Sequence, residues 1–92
     1  MYRSHPVRRL CAEPHPEESV ALVVEIDPEA TDEATLTETV ADLDGETVEA
    51  LGFDAYRVDL PQTAVATLCE TEGLVRVETA NVVAPGDAGE DV

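Results

Sequence analysis

The sequence has no lysine and no tryptophan, and among its 92 residues only Tyr2, Phe53 and Tyr56 are aromatic. Five arginines are set against 21 Asp and Glu, for a net charge of −16. Phosphate backbones are bound through clustered Lys and Arg, so the balance argues against nucleic acid as a partner. An anionic membrane surface is disfavoured by the same repulsion, and no apolar run approaches the ~18 residues of a membrane span. The two cysteines, Cys11 and Cys69, supply no disulfide framework. Cys11 falls in a segment that reads as flexible and Cys69 in a helix, so a bridge would need a coincidence of geometry. Free thiols suggest a reducing compartment, and the expected location is cytoplasmic. Both histidines, His5 and His15, lie in the first 18 residues, which leaves no Ser–His–Asp set. His5, Cys11 and His15 match no common zinc spacing and lack a fourth ligand. No catalytic residue, metal or cofactor is expected, and an enzyme is not.

What is present is aliphatic. The hydrophobic fraction is 43%, mostly Ala and Val, so a single small domain with a thin core is expected. High acid, absent Lys and abundant Ala, Val and Thr resemble the proteins of extreme halophiles. Such a surface repels itself at low salt and is screened near 1 M, where the Debye length is ~3 Å. The charge is uneven along the chain. Residues 1–18 hold three of the five Arg, three of the six Pro and only three acids, so they are neutral and the whole −16 falls on residues 19–92. Proline with few apolar partners predicts a flexible N-terminal arm over 1–18.

Residues 19–27 (SVALVVEID) read as a nearly continuous apolar central strand, with Val20, Leu22, Val24 and Ile26 on one face. Thr31 or Asp32 then caps a helix in which Leu36, Val40 and Leu43 form one stripe, with Gly45 as the stop. Residues 46–53 form a second strand with a bulge at Gly52, and Asp54 turns the chain into a third strand over 55–60. In that strand Tyr56, Val58 and Leu60 alternate with Arg57 and Asp59. Pro61 opens a second helix carrying Val65, Leu68 and Cys69, and Gly73 closes it. Residues 74–79 are the fourth strand, followed by an acidic tail over 85–92 that is expected to be disordered. The order predicts an α+β, ferredoxin-like βαββαβ domain over 19–84. Its four-stranded antiparallel sheet has spatial order 4-1-3-2, with two helices on one face and nothing on the other.

Several users of this plan fail on their residues. An acylphosphatase needs an Arg-bearing anion loop after the first strand, where this chain has Asp27-Pro28-Glu29-Ala30-Thr31-Asp32. Base stacking in RNA-recognition motifs needs aromatics on the middle strands, and Val23, Leu51 and Arg57 cannot serve. A metal-chaperone domain needs Cys-x-x-Cys in the first loop. The carboxylate clusters Glu17/Glu18 and Glu70/Glu72 lack the spacing of a dedicated cation loop and read as a solvated shell.

Residues 53–68 (FDAYRVDLPQTAVATL) with 73–78 (GLVRVE) resemble the inhibitor I9 family, the propeptide-like domains of subtilisin-type serine proteases. The matching pieces are Tyr56 leading a strand, Leu60-Pro61 ending it, Ala64-Val65 with Leu68 in the helix, and Val77-Glu78 in the last strand. The short opening strand over 21–26 and Gly45 after the first helix agree. The resemblance implies a protease-binding domain that acts as a trans-acting inhibitor or folding assistant of a subtilisin-like serine protease. The open sheet face would lie on the protease through Val23, Leu51, Phe53, Arg57, Arg76 and Glu78. The segment Thr79, Ala80, Asn81, Val82 and Val83 would enter the cleft as an added strand, or Val82 and Val83 would pack on the domain edge instead. The family usually places an acidic residue shortly after Val-Glu, where this chain has Thr79-Ala80-Asn81. With Val92 read as the end of the chain, the expected likeness is to free-standing members of haloarchaeal type, similar to the small cytoplasmic inhibitors of vacuolar subtilases in fungi. The alternative is a ferredoxin-like dimerisation or small-ligand-binding module without enzymatic activity, a homodimer pairing through the same open face.

Overall fold

A computed structural model describes residues 1–80. In chain order it contains β1 (Tyr2–Arg3), α1 (His5–Ala12), β2 (Ser19–Ile26), α2 (Glu33–Asp42), β3 (Glu46–Gly52), β4 (Ala55–Pro61), α3 (Val65–Cys69) and β5 (Leu74–Thr79). A 3-10 turn over Gln62–Ala64 leads into α3. The architecture is mixed α+β, a five-stranded sheet of order β1-β5-β2-β4-β3. The four strands expected from sequence keep their expected order, and β2–β4, β2–β5 and β3–β4 are all antiparallel. The expectation of four strands and two helices is corrected by the N-terminus. Tyr2 and Arg3 add a fifth strand, parallel to β5, and α1 adds a third helix.

Alternation along the strands explains where the core sits. Leu22, Val24 and Ile26 of β2, Val58 and Leu60 of β4 and Val77 of β5 are buried on one face. Val7 of α1, Leu36 and Val40 of α2, and Val65 and Leu68 of α3 close over that face as one cluster. None of these side chains is aromatic, so stability comes from many small aliphatic contacts.

Residues 2–12 are therefore ordered where a flexible arm was expected. Ser4 caps α1, its Oγ accepting from the Val7 N–H at 3.4 Å, and Pro6 sits in the first turn. The Ser4 N–H donates to the Val77 carbonyl at 3.1 Å, continuing the edge that β1 begins. The connection back to β2 is tied down as well. The His15 N–H donates to Oε1 of the buried Gln62 at 3.0 Å, and the Gln62 N–H donates to the Glu18 carbonyl at 2.9 Å.

α2 begins at Asp32, whose Oδ1 accepts from the Thr35 N–H at 2.8 Å, with Glu33 favourable in the first turn. Its end differs in detail from the sequence reading. Asp44, at φ 65°, takes the left-handed turn position expected of Gly45. Gly45 is needed for space, because a Cβ there would strike the Asp59 carbonyl oxygen and lie 2.8 Å from the Leu60 Cβ. α3 is shorter than expected, since the first turn after Pro61 is 3-10.

Val7 is fully buried, and truncating it removes two methyl groups from a packed site. Val7→Ala is expected to cost about 2 kcal/mol, lowering Tm in molar salt by about 8–16 °C for a domain of this size. No change in a thermal melt would show that α1 is not part of the cooperative unit. A second expectation concerns acid. The hydrogen bonds that Asp32 accepts from the Thr35 N–H and then from the Thr35 hydroxyl hold its carboxyl below the usual range. A depressed folded pKa contributes stability that is present above the unfolded value and is lost as pH falls through the folded one. The Tm deficit of Asp32→Ala relative to wild type should accordingly shrink as melts are repeated from pH 7 down to pH ~3.

Candidate functional site: the open sheet face and its two ends

Residues of opposite parity to the core project from the uncovered face, and the strand register arranges them in rows. Glu78, Val23, Arg57 and Glu49 form one row across β5, β2, β4 and β3. Tyr2, Arg76, Glu25 and Ala55 form the next, towards the β3–β4 turn. Ala21, Asp59 and Glu46 lie on the other side. Arg57 and Arg76 are the only arginines after residue 9, so both cations of the acidic stretch 19–92 occupy this one face.

Arg76 is held by its neighbours. Its Nη1 lies 3.1 Å from Glu78 Oε2 and its Nε 3.8 Å from Glu25 Oε1. Its guanidinium stands 5.2 Å from the centre of the Tyr2 ring. These groups are half exposed, so each contact contributes at most about 1 kcal/mol. Their effect is to fix the direction of one cation. Arg57 has Glu49 opposite but makes no ion pair among the described residues.

The sheet ends differ. β3 and β4 are joined by two residues, Phe53 and Asp54, at φ 53° and 62°. A two-residue hairpin wants both central residues in this region, a role suited to Asn and Gly. Phe53 occupies it with its side chain 98% exposed. Leu51 and Val48, beside register shifts in β3, are also exposed. This end is acidic: the Tyr56 phenol is pushed up by desolvation and then by Glu33, Asp54 and Asp32.

At the opposite end Thr79 pairs with the buried Leu22, which turns it to the helix side. There it borders a shallow groove of about 370 Å³ whose walls include Pro6, Leu10 and Val20.

The structure thus brings together Val23, Arg57, Arg76 and Glu78. It separates Leu51 and Phe53, at the hairpin end, from Thr79 and Ala80. Asn81, Val82, Val83 and the tail over 85–92 lie outside the described residues. Tyr2 and Glu25 join the face as partners of Arg76 and were not singled out from sequence. The signal for Tyr2 was the Ser4 cap with Pro6 behind it, which marks a helix start and hence an ordered segment. Among the described residues, no group of three or more His, Cys, Asp or Glu is placed to hold a metal ion. No helix there is long and apolar enough to cross a membrane.

Phe53 carries a left-handed backbone with its side chain exposed, a conformation that costs roughly 1–2 kcal/mol for most side chains but less for Asn, whose short amide bonds the local backbone. Phe53→Asn should therefore raise Tm by roughly 4–8 °C. A fall in Tm would mean that the Phe53 ring packs against the domain.

No curated protein and no solved structure matches the chain. A family model does, that of the "Putative peptidase inhibitor domain", over residues 2–80. The match begins at β1 and ends just after β5, so it takes in every element described above. The chain belongs to this family of peptidase-inhibitor-like domains.

Proposed function

We propose that this protein is an I9-like inhibitor or folding assistant that acts in trans on a subtilisin-like serine protease. The open face is the platform. Val23, Arg57, Arg76 and Glu78 lie against the protease surface, and Leu51 and Phe53 extend the contact at the hairpin end. The segment from Thr79 to Val83 runs from β5 into the active-site cleft and adds there as a strand. The family match implies a protease partner, and a binding role needs no catalytic group of its own. The observation that carries the reading is the placement of Arg57 and Arg76. A chain with 21 acids puts both cations of its acidic stretch on the sheet face that no helix covers among the described residues. A solvent-adapted surface requires no such segregation, whereas a docking face against a partner with acidic groups does. We read this encounter as one in concentrated salt and a reducing compartment, which the lysine-free acidic composition and the two free thiols suggest.

The test is inhibition of a halophilic subtilase, followed by peptide hydrolysis in molar salt. Wild type should inhibit at micromolar or lower concentration. Arg57→Glu and Val82→Asp should each weaken inhibition at least ~10-fold, which corresponds to about 1.4 kcal/mol. Absence of inhibition at micromolar excess, with Val82→Asp indistinguishable from wild type, would sink the proposal. Light scattering separates the homodimer alternative. A dimer in molar salt that is lost on Val23→Glu would assign the face to self-association.

A further inference from the structure

We propose that Cys11 and Cys69 are a reversible disulfide site, a redox staple that closes α1 onto α3. The two thiols lie 58 positions apart in sequence, yet the fold brings their sulfurs to 4.0 Å, with the Cys11 thiol donating to Cys69 Sγ. They are the only cysteines in the chain, so neither has an intramolecular competitor. Both are half-buried, with part of each residue open to a small oxidant. A disulfide needs the sulfurs at about 2.05 Å, so closure asks for roughly 2 Å of approach between them.

The local chemistry gives the two sulfurs different parts. Burial, and then the neighbouring Cys11, push the Cys69 thiol up to about 11, only partly opposed by the Arg3 guanidinium. Cys69 therefore stays protonated at neutral pH. With hydrogen peroxide as oxidant, Cys11 sulfur attacks one peroxide oxygen; the O–O bond breaks, water leaves and a sulfenic acid remains on Cys11. Cys69 sulfur then displaces that hydroxyl; the S–S bond forms and its thiol proton leaves with the hydroxyl as a second water. One peroxide is reduced and two thiols are oxidised. A dithiol reductant reverses the bond by exchange.

The staple would bind β1 and α1 covalently to the body and remove conformational freedom from the unfolded chain. It depends on no statement about a protease. The purified full chain is treated with hydrogen peroxide at neutral pH in molar salt, then read by intact mass, free-thiol titration, non-reducing electrophoresis and melting. The expected product is a monomer lighter by two hydrogens, with no free thiol and a Tm raised by at least ~5 °C. Dithiothreitol should restore mass, thiols and Tm. Cys11→Ser and Cys69→Ser, each folded by melting, should yield no such monomer. Intermolecular dimers from wild type, separate oxygen adducts on the two cysteines, or unchanged thiols would each overturn the proposal.

Discussion

Everything in this small molecule depends on covering one aliphatic sheet face. Leu22, Val24 and Ile26 of the central strand, with Val58, Leu60 and Val77 beside them, present side chains that are individually modest. No aromatic is among the buried core residues, and three helices rather than two close over the face. α1 supplies the missing cover by seating Val7 among the β5 and α3 side chains. The N-terminal segment is recruited into the fold by this need. β1 follows from it, because a chain tethered at Val7 and Ser4 runs beside the open edge of β5 and pairs with it.

The same one-sidedness creates the surface proposed for docking. A sheet clothed on one side leaves the alternate residues of each strand to solvent or to a partner. In a chain of this charge those residues would be expected to be acidic, and Glu25, Glu46, Glu49, Asp59 and Glu78 conform. Val23, Arg57 and Arg76 do not. Their position in the middle of the sheet, with Arg76 oriented by Tyr2, Glu25 and Glu78, gives the face a patterned character that simple hydration does not require. Phe53 adds an exposed ring at one end, held on a backbone better suited to Asn or Gly.

Much of this was legible in the sequence because period-two alternation is a local signal. It located β2 to β5, the βαββαβ succession of elements set their order in the sheet, and the Leu36/Val40 stripe behind Asp32 located α2. The N-terminus was misread because three prolines and a neutral charge resemble a loose arm. Yet Val7, Leu10 and Cys11 follow the Ser4 cap at helical spacing, and that shorter signal was the decisive one. Gly45 was recognised as a helix stop, but the crowding by Asp59 and Leu60 that requires it is a tertiary fact. The meeting of Cys11 with Cys69 could not be read from sequence at all, since it depends on α1 and α3 packing side by side. Among the candidate site residues, alternation alone was enough to put Val23, Arg57, Arg76 and Glu78 on a shared face. The distance between the hairpin end and Thr79 needed the register.

The central claim is that the open face is where a protease docks. The most direct measurement is chemical-shift mapping of the isotopically labelled chain in molar salt, titrated with an inactivated subtilisin-like protease. The account predicts changes concentrated at Val23, Arg57, Arg76 and Glu78 and continuing through Thr79, with the outer surface of α2 unaffected. Changes confined to the helical side, or none at protease excess, would contradict it.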